Sequence, residues 1–425
     1  MNRIKSPKTA KNLRPGNISP RLEKLGNSIP VYLISAGSQP VTRIDLMFRA
    51  GSWWQTKPLA ASSANAMLSE GTINLTGEQI AKKVDYYGAF INSSADRDNA
   101  FISIYTLTRY IDEILPLCAD IAKNPSFPER ELETLLERRR QNFLIQKTRV
   151  SSLAREQFAA SVFGKDHPYG QTLALEDFDN LTCSDLRSFH EKYYRSGNCT
   201  VFVSGRFDSD KITAALDQLF GGNDWHSRPP VCEAVPPEPD AERIKMLIAK
   251  DDAVQSALRI GRRLFPGSHP DHPGMMVLNS ILGGHFGSRL MQNIREKRGY
   301  TYGIGSMLTG LRFGGYLAIV SEVGGDNREE AVNEIYREMK ELCDKPVSAR
   351  ELDLTRRHML GEVLRSFDGP FAWLESIRNL AETDMDSGYF DKLVDTINTI
   401  TPQQIIELAR KYLVKEEMVE VVAGK

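Results

Sequence analysis

The sequence predicts an α+β protein made of two homologous halves, each a largely antiparallel sheet packed with helices. Three observations carry that expectation. First, the chain repeats itself at nearly one offset. RELETLLERRRQNFL from Arg130 matches RELDLTRRHMLGEVL from Arg350, a shift of 220, and TCSDLRSFHEKYY from Thr182 matches TPQQIIELARKYL from Thr401, a shift of 219. The apolar strands that follow, TVFVSG to Gly205 and EVVAG to Gly424, are again 219 apart. Second, strand-like runs group as hairpins between long helical stretches. Third, residues 221–245 hold Gly221, Gly222, Pro229, Pro230, Pro236, Pro237 and Pro239, too much proline for a helix interior and suited to an extended surface linker.

The halves therefore fall at 26–220 and 246–425, behind an arm over residues 1–25. The arm carries Arg3, Lys5, Lys8, Lys11, Arg14 and Arg21 with no acidic residue before Glu23, which resembles an organellar transit segment. Pro7, Pro15, Pro20 and the lack of an amphipathic pattern favour a flexible basic arm instead. In the first half, Val41 to Phe48 places Ile44, Leu46 and Phe48 on one face, as a half-buried strand does. Thr76 and Gln79 form a capping box before a helix with Ile80, Val84 and Tyr87 on one face, closed by Gly88. Ala89–Ser94 and Ala100–Leu107 flank the polar turn Asp96–Asn99 as a hairpin. Each half then nears its end with a threonine N-cap and a partner three residues on, Thr182 with Asp185 and Thr401 with Gln404.

Composition narrows the function. Of the 425 residues 41% are hydrophobic and 26% charged, with a formal net charge of -1, so the basic excess of a general nucleic-acid or acidic-membrane binder is missing. No apolar run approaches the roughly 18 residues of a membrane-spanning helix. The five cysteines form no CxxC pair, which fits a reducing compartment: the cytoplasm, or an organellar matrix as the alternative.

The richest stretch is LGGHFGSRLMQNIREKRGYTYG, Leu282 to Gly303. Gly283 and Gly284 are free to take positive φ and suit a tight entry into a helical run from about Ser288 to Lys297, and Gly299 ends that run. Tyr300 and Tyr302 follow on a strand, where period two places both rings on one face near Arg295. The histidines supply no metal-binding helix pair. His269 and His272 lie in a proline-rich loop, His285 reads as a lone polar residue in the glycine turn, and His167 in HPYG reads as structural.

On these motifs nearly the whole chain resembles the pitrilysin and insulinase family of zinc metallopeptidases, in its mitochondrial-processing-peptidase-like two-domain branch. Active members of that family carry HxxEH on an early helix. Histidines at i and i+4 chelate one zinc ion while the glutamate between them takes a proton from its water. Anchored on Gly71 and Thr72, the family's GLAHFLEHMLxxGT falls on LAASSANAMLSEGT, Leu59 to Thr72. The ligand positions become Ser62 and Ala66 and the general-base position becomes Asn65. The third ligand, a glutamate about 75 to 80 residues later in the family, lands in QNFLIQKT, Gln141 to Thr148, which has no carboxylate.

The family's other active-site motif, an arginine followed seven residues later by a tyrosine, is present as Arg295 and Tyr302. The resemblance implies that these two bind substrate backbone and stabilise the oxyanion. It further implies a zinc-free subunit with no cofactor of its own, paired with an HxxEH-bearing homologue that holds the zinc. An extended peptide would be the substrate, and neither nucleic acid nor membrane a partner. The alternatives are a structural or assembly protein and a peptide-binding homodimer, both without peptidase activity.

Overall fold

Two sheets with the same strand permutation organise the chain. The structure is a computed structural model that describes residues 20–228, 244–386 and 388–425. Most of the basic arm, residues 1–19, and most of the proline-rich linker, 229–243, lie outside the described residues.

The first sheet contains β1 (Arg21–Lys24), β2 (Pro30–Ser35), β3 (Val41–Phe48), β4 (Phe90–Ala95), β5 (Ala100–Leu107) and β6 (Cys199–Gly205), in the order β1-β2-β6-β3-β5-β4. The second contains β7 (Ile244–Ala249), β8 (Gln255–Leu264), β9 (Thr301–Leu311), β10 (Gly314–Gly324) and β11 (Val419–Gly424), in the order β7-β11-β8-β10-β9. With β1 set aside the two orders are one pattern. Each sheet has a single parallel pair, β2 with β6 and β7 with β11, and its other pairs are antiparallel. The correspondence reaches single residues. Gly205 and Gly424 end the matching strands with φ of 125° and 138°, and a Cβ on either would strike the neighbouring strand, 2.1 Å from Val41 O or 2.7 Å from Ser256 Cα.

Helices of the first half are α1 (Ala60–Met67), α2 (Gly77–Tyr86), α3 (Ile111–Lys123), α4 (Glu129–Lys147), α5 (Val150–Phe163), α6 (Cys183–Tyr193) and α7 (Ser209–Phe220). In the second half α8 (His272–Asn279) runs on as a wide turn through Gly284, a second wide-turn helix spans Met291–Lys297, and α9 (Arg328–Asp344), α10 (Ala349–Arg365), α11 (Pro370–Glu382), α12 (Gly388–Thr399) and α13 (Pro402–Tyr412) follow. All three capping boxes form, at Thr76, Thr182 and Thr401, so local sequence sets where α2, α6 and α13 begin. No helix among the described residues is long and apolar enough to cross a membrane.

The halves exchange helices. α5 lies on β8 and β11 of the second sheet, and α11, 220 residues later, lies on β2 and β6 of the first. Trp373, Leu374 and Ile377 of α11 pack on Ile34, Met47, Phe101 and Phe202. Each such side chain contributes about 1.5–3 kcal/mol when fully buried, so this contact holds the halves together.

That exchange corrects one expectation. β3 is not half-buried, because all but its first residue is buried. Its polar face looks into α11, where Arg43 Nε and Nη2 donate to the Asp45 carboxylate at 2.9 and 2.6 Å, and Arg378 Nη1 donates to Asp45 Oδ2 at 2.9 Å. Polar alternation thus marks an ion-pair network between halves rather than a solvated face. A second tie joins the β9–β10 turn to the first half. Phe313 stacks on Trp53 at 4.3 Å, and Arg312 N donates to Asp98 Oδ2 at 3.1 Å.

Candidate functional site

The sequence places two groups of candidate residues in different halves. On α1, Ser62 and Ala66 share the less buried face, as i and i+4 must, while Ala61, Ser63, Ala64, Asn65 and Met67 are buried. Asn65, at the general-base position, points into the sheet. Its Nδ2 donates to Phe101 O at 3.2 Å and to Tyr194 Oη at 3.1 Å. A neutral amide spent on two structural bonds has no basicity to offer water.

Arg139, which the sequence reading did not single out, fills the neighbourhood of the missing ligands. From α4 its Nη1 donates to Ser62 Oγ at 3.1 Å and Ser63 Oγ at 2.7 Å, and its Nη2 donates to Ser62 O at 3.1 Å. Burial and the adjacent Arg138 pull its pKa below the usual guanidinium range. In the sequence it is one residue of the run Arg138–Arg139–Arg140, with no local signal that sets it apart. A zinc ion does not fit here. The ligand positions hold a hydroxyl and a methyl, a guanidinium bonds to that hydroxyl, and no group of three His, Cys, Asp or Glu side chains among the described residues is arranged to hold a metal.

The Gly71–Thr72 anchor is a structural turn. Thr72 Oγ1 donates to Asp120 Oδ2 at 2.6 Å and accepts from Leu75 N at 3.0 Å. His167 is structural as well. Its Nδ1 accepts from Tyr169 N at 3.0 Å, and burial depresses its pKa to about 4.

The second group lies at the start of β9, the edge strand of the second sheet. Arg295 Nε donates to Tyr302 O at 3.0 Å, and the guanidinium lies 4.6 Å from the centre of the Phe286 ring. The carboxylate nearest to it on its own helix, Glu296, is 4.0 Å away, too far for a strong pair. Among the described residues the Tyr302 side chain has no hydrogen-bond partner and the residue is 94% exposed, and Phe286 is 63% exposed. Phe286 escaped the sequence reading, although its place inside the glycine turn was a usable signal.

Two expectations for this segment change. Gly283 and Gly284 are not among the positive-φ residues. Gly283 is needed for close approach, since a Cβ would lie 2.6 Å from Ser306 N on β9. Tyr300 and Tyr302 are also not equivalent. Tyr300 precedes the strand, is partly buried against the second core, and accepts from Arg298 Nη1 at 3.4 Å. Gly299, with φ 67°, does end the helix as expected. The segment is anchored to α10 by Arg289, whose Nε and Nη2 donate to the Glu351 carboxylate at 2.7 and 3.0 Å. His285 packs on His358 with ring centres 4.7 Å apart.

Comparison with known proteins bears on the family and the fold. Residues 31–173 match the family model described as insulinase (peptidase family M16), and residues 180–359 match the one described as peptidase M16 inactive domain. Among curated relatives, an uncharacterized zinc protease of Mycobacterium leprae is 24% identical over 84% of this chain and 80% of its own length. A probable inactive metalloprotease of Bacillus subtilis, YmfF, is 24% identical over 58% of this chain and 57% of its own. Among solved structures, the peptidase M16 inactive domain from Pseudomonas fluorescens superposes with a TM-score of 0.89 at 24% identity, covering 96% of this chain and 98% of that one. At that identity the likeness shows the fold.

Proposed function

The chain belongs to the insulinase family of peptidases, and from that premise we propose that it is the zinc-free subunit of a heterodimeric zinc metallopeptidase, lending Arg295 and Tyr302 to a peptide held at the HxxEH site of a homologous partner. It is a noncatalytic member of its family, since Ser62 and Ala66 offer no imidazole and Asn65 no carboxylate at the zinc-motif positions. One observation carries the finer reading: an arginine with no strong carboxylate partner among the described residues holds the carbonyl of a tyrosine whose residue is 94% exposed. The Tyr302 ring and the Nη groups of Arg295 face outward from that contact.

The geometry suits the role. With Nε engaged by Tyr302 O, the two Nη groups of Arg295 remain to donate outward, and the Tyr302 hydroxyl is a second donor. Donors fixed before reaction at the oxygen that gains negative charge need little rearrangement when it does. The peptide would lie extended along a sheet edge, held by backbone hydrogen bonds. The test is reconstitution with the HxxEH partner. Arg295→Ala should lower turnover by about 10²–10³-fold without loss of pairing, and full activity in that variant would end the proposal.

A second reading, an assembly or peptide-binding homodimer of the same fold, draws on the exposed Phe286 and Tyr302 on either side of Arg295. It predicts stable self-association that is lost when both rings are removed, whatever the partner.

A further inference from the structure

The cavity beside the vacated zinc position carries more positive charge than the fold neutralises. It encloses about 480 Å³ between α1, α4, α5 and the HPYG loop, a size typical of small-ligand sites, which run about 300–1,000 Å³. Its charged lining comprises Arg97, Arg139, Lys147, Arg155 and Glu156. The single carboxylate is already taken, since Lys147 Nζ donates to both Glu156 oxygens at 2.8 Å.

That leaves three guanidinium groups on one cavity. Arg139 bonds only to neutral oxygens of Ser62 and Ser63. Arg97 lies over the rings of Tyr169 and Tyr316, at 6.0 and 5.7 Å. Arg155 makes no ion pair among the described residues and acts on Arg259 of β8 as a like charge. Of the three, only Arg97 feels a carboxylate among the described residues, Asp96 beside it in the chain. Guanidinium groups lining one cavity with so little counter-charge favour an added anion, and they match carboxylate and phosphate geometry. The walls mix apolar side chains, Leu59, Phe143, Leu173 and Phe178, with neutral polar ones such as Asn142 and Gln146, so a ligand with carbon attached to its oxyanion fits better than a bare ion.

We propose that this cavity binds an oxyanion-bearing organic ligand, with the carboxylate of an acidic peptide or a peptide C-terminus as its source, gripped by Arg97, Arg139 and Arg155. The site rests on the proposed function only in taking peptide as the ligand, and it shares no residue with Arg295 or Tyr302. Function at this corner of the fold would then have passed from holding a metal to holding the charged end of a chain.

The experiment is calorimetric titration of the full-length protein with a glutamate-containing peptide bearing a free C-terminus, and with its glutamine, C-amidated isostere. The acidic peptide should bind at least tenfold more tightly, and Arg155→Gln should remove about tenfold of its affinity. Arg155 is exposed, so that variant should fold, and Arg97→Gln gives an independent second test. Arg295→Ala should leave this affinity unchanged. Inorganic phosphate as competitor separates the sources: displacement only at high phosphate assigns the peptide carboxylate, whereas phosphate binding as tightly as the peptide overturns the organic ligand. Equal affinity for the two isosteres, or none for either, overturns the site and leaves the Arg295 and Tyr302 reading intact, because that reading is scored on the partner's turnover.

Discussion

Helix α1 and the segment from Phe286 to Tyr302 differ in how their polar groups are used. On α1, Ser62 and Ser63 receive Arg139, and Asn65 bonds to Phe101 O and Tyr194 Oη. In the later segment the guanidinium lies over the exposed Phe286 ring, and its hydrogen bond goes to the backbone carbonyl of Tyr302, whose side chain is exposed. One region ties its polar groups into the fold, and the other leaves the Tyr302 and Phe286 side chains exposed. Side chains tied into packing are read out by stability, whereas exposed ones are read out by binding or turnover.

The sharpest way to break that contrast is to put chemistry back into α1. Asn65→Glu restores the family's base residue but buries a carboxylate where an amide now donates two hydrogen bonds. It should cost about 3–5 kcal/mol, seen as a lower urea midpoint, with no gain in zinc binding. A variant as stable as the parent would show that this position is not committed to structure. In the other region the prediction reverses. Arg295→Ala should cost about 2.7–4 kcal/mol in the transition state of the partnered reaction while leaving the melting temperature of the isolated chain nearly unchanged.

A smaller effect concerns the joint between the halves. Glu382 of α11 accepts from Arg378 Nε at 3.1 Å, and burial raises its pKa from 4.5 to about 7. A raised carboxyl favours the folded state most below its unfolded pKa. Stability should therefore fall as pH rises from about 4.5 to about 7 and stay lowered above that. Glu382→Gln should flatten this decline and stabilise the protein above pH 7 by about 1–2 kcal/mol, measured as the difference between urea titrations at pH 5 and pH 8. An unchanged slope would mean that the docking of α11 does not depend on this proton.

The smallest expected effect is also informative. Tyr302→Ala should change stability by less than about 0.5 kcal/mol, because the residue is almost fully exposed. A larger loss by chemical denaturation would show that the ring packs on something in the isolated chain.

What the sequence revealed and what it hid follow from range. The capping boxes at Thr76, Thr182 and Thr401, the β4–β5 hairpin and the end of the helix at Gly299 are set by residues within a few positions of each other, and each could be read locally. The blank zinc positions were equally legible, since loss of a ligand is a matter of residue type. Hidden features depended on distant partners. β3 read as half-buried because the helix covering its polar face lies more than 300 residues later in the chain. Arg139 goes unmarked in the sequence because its partners Ser62 and Ser63 are 77 and 76 residues away. Gly283 was assigned a φ role when its real constraint is the backbone of β9, which only the packed sheet supplies.

The measurement that bears most directly on the central claim is native mass spectrometry, with zinc quantified, of the complex isolated gently from the cell. The account predicts this chain joined to one homologous chain bearing HxxEH, with about one zinc ion per pair, all of it retained by the partner after separation. A zinc-free homodimer, or zinc bound stoichiometrically by this chain alone, would contradict it.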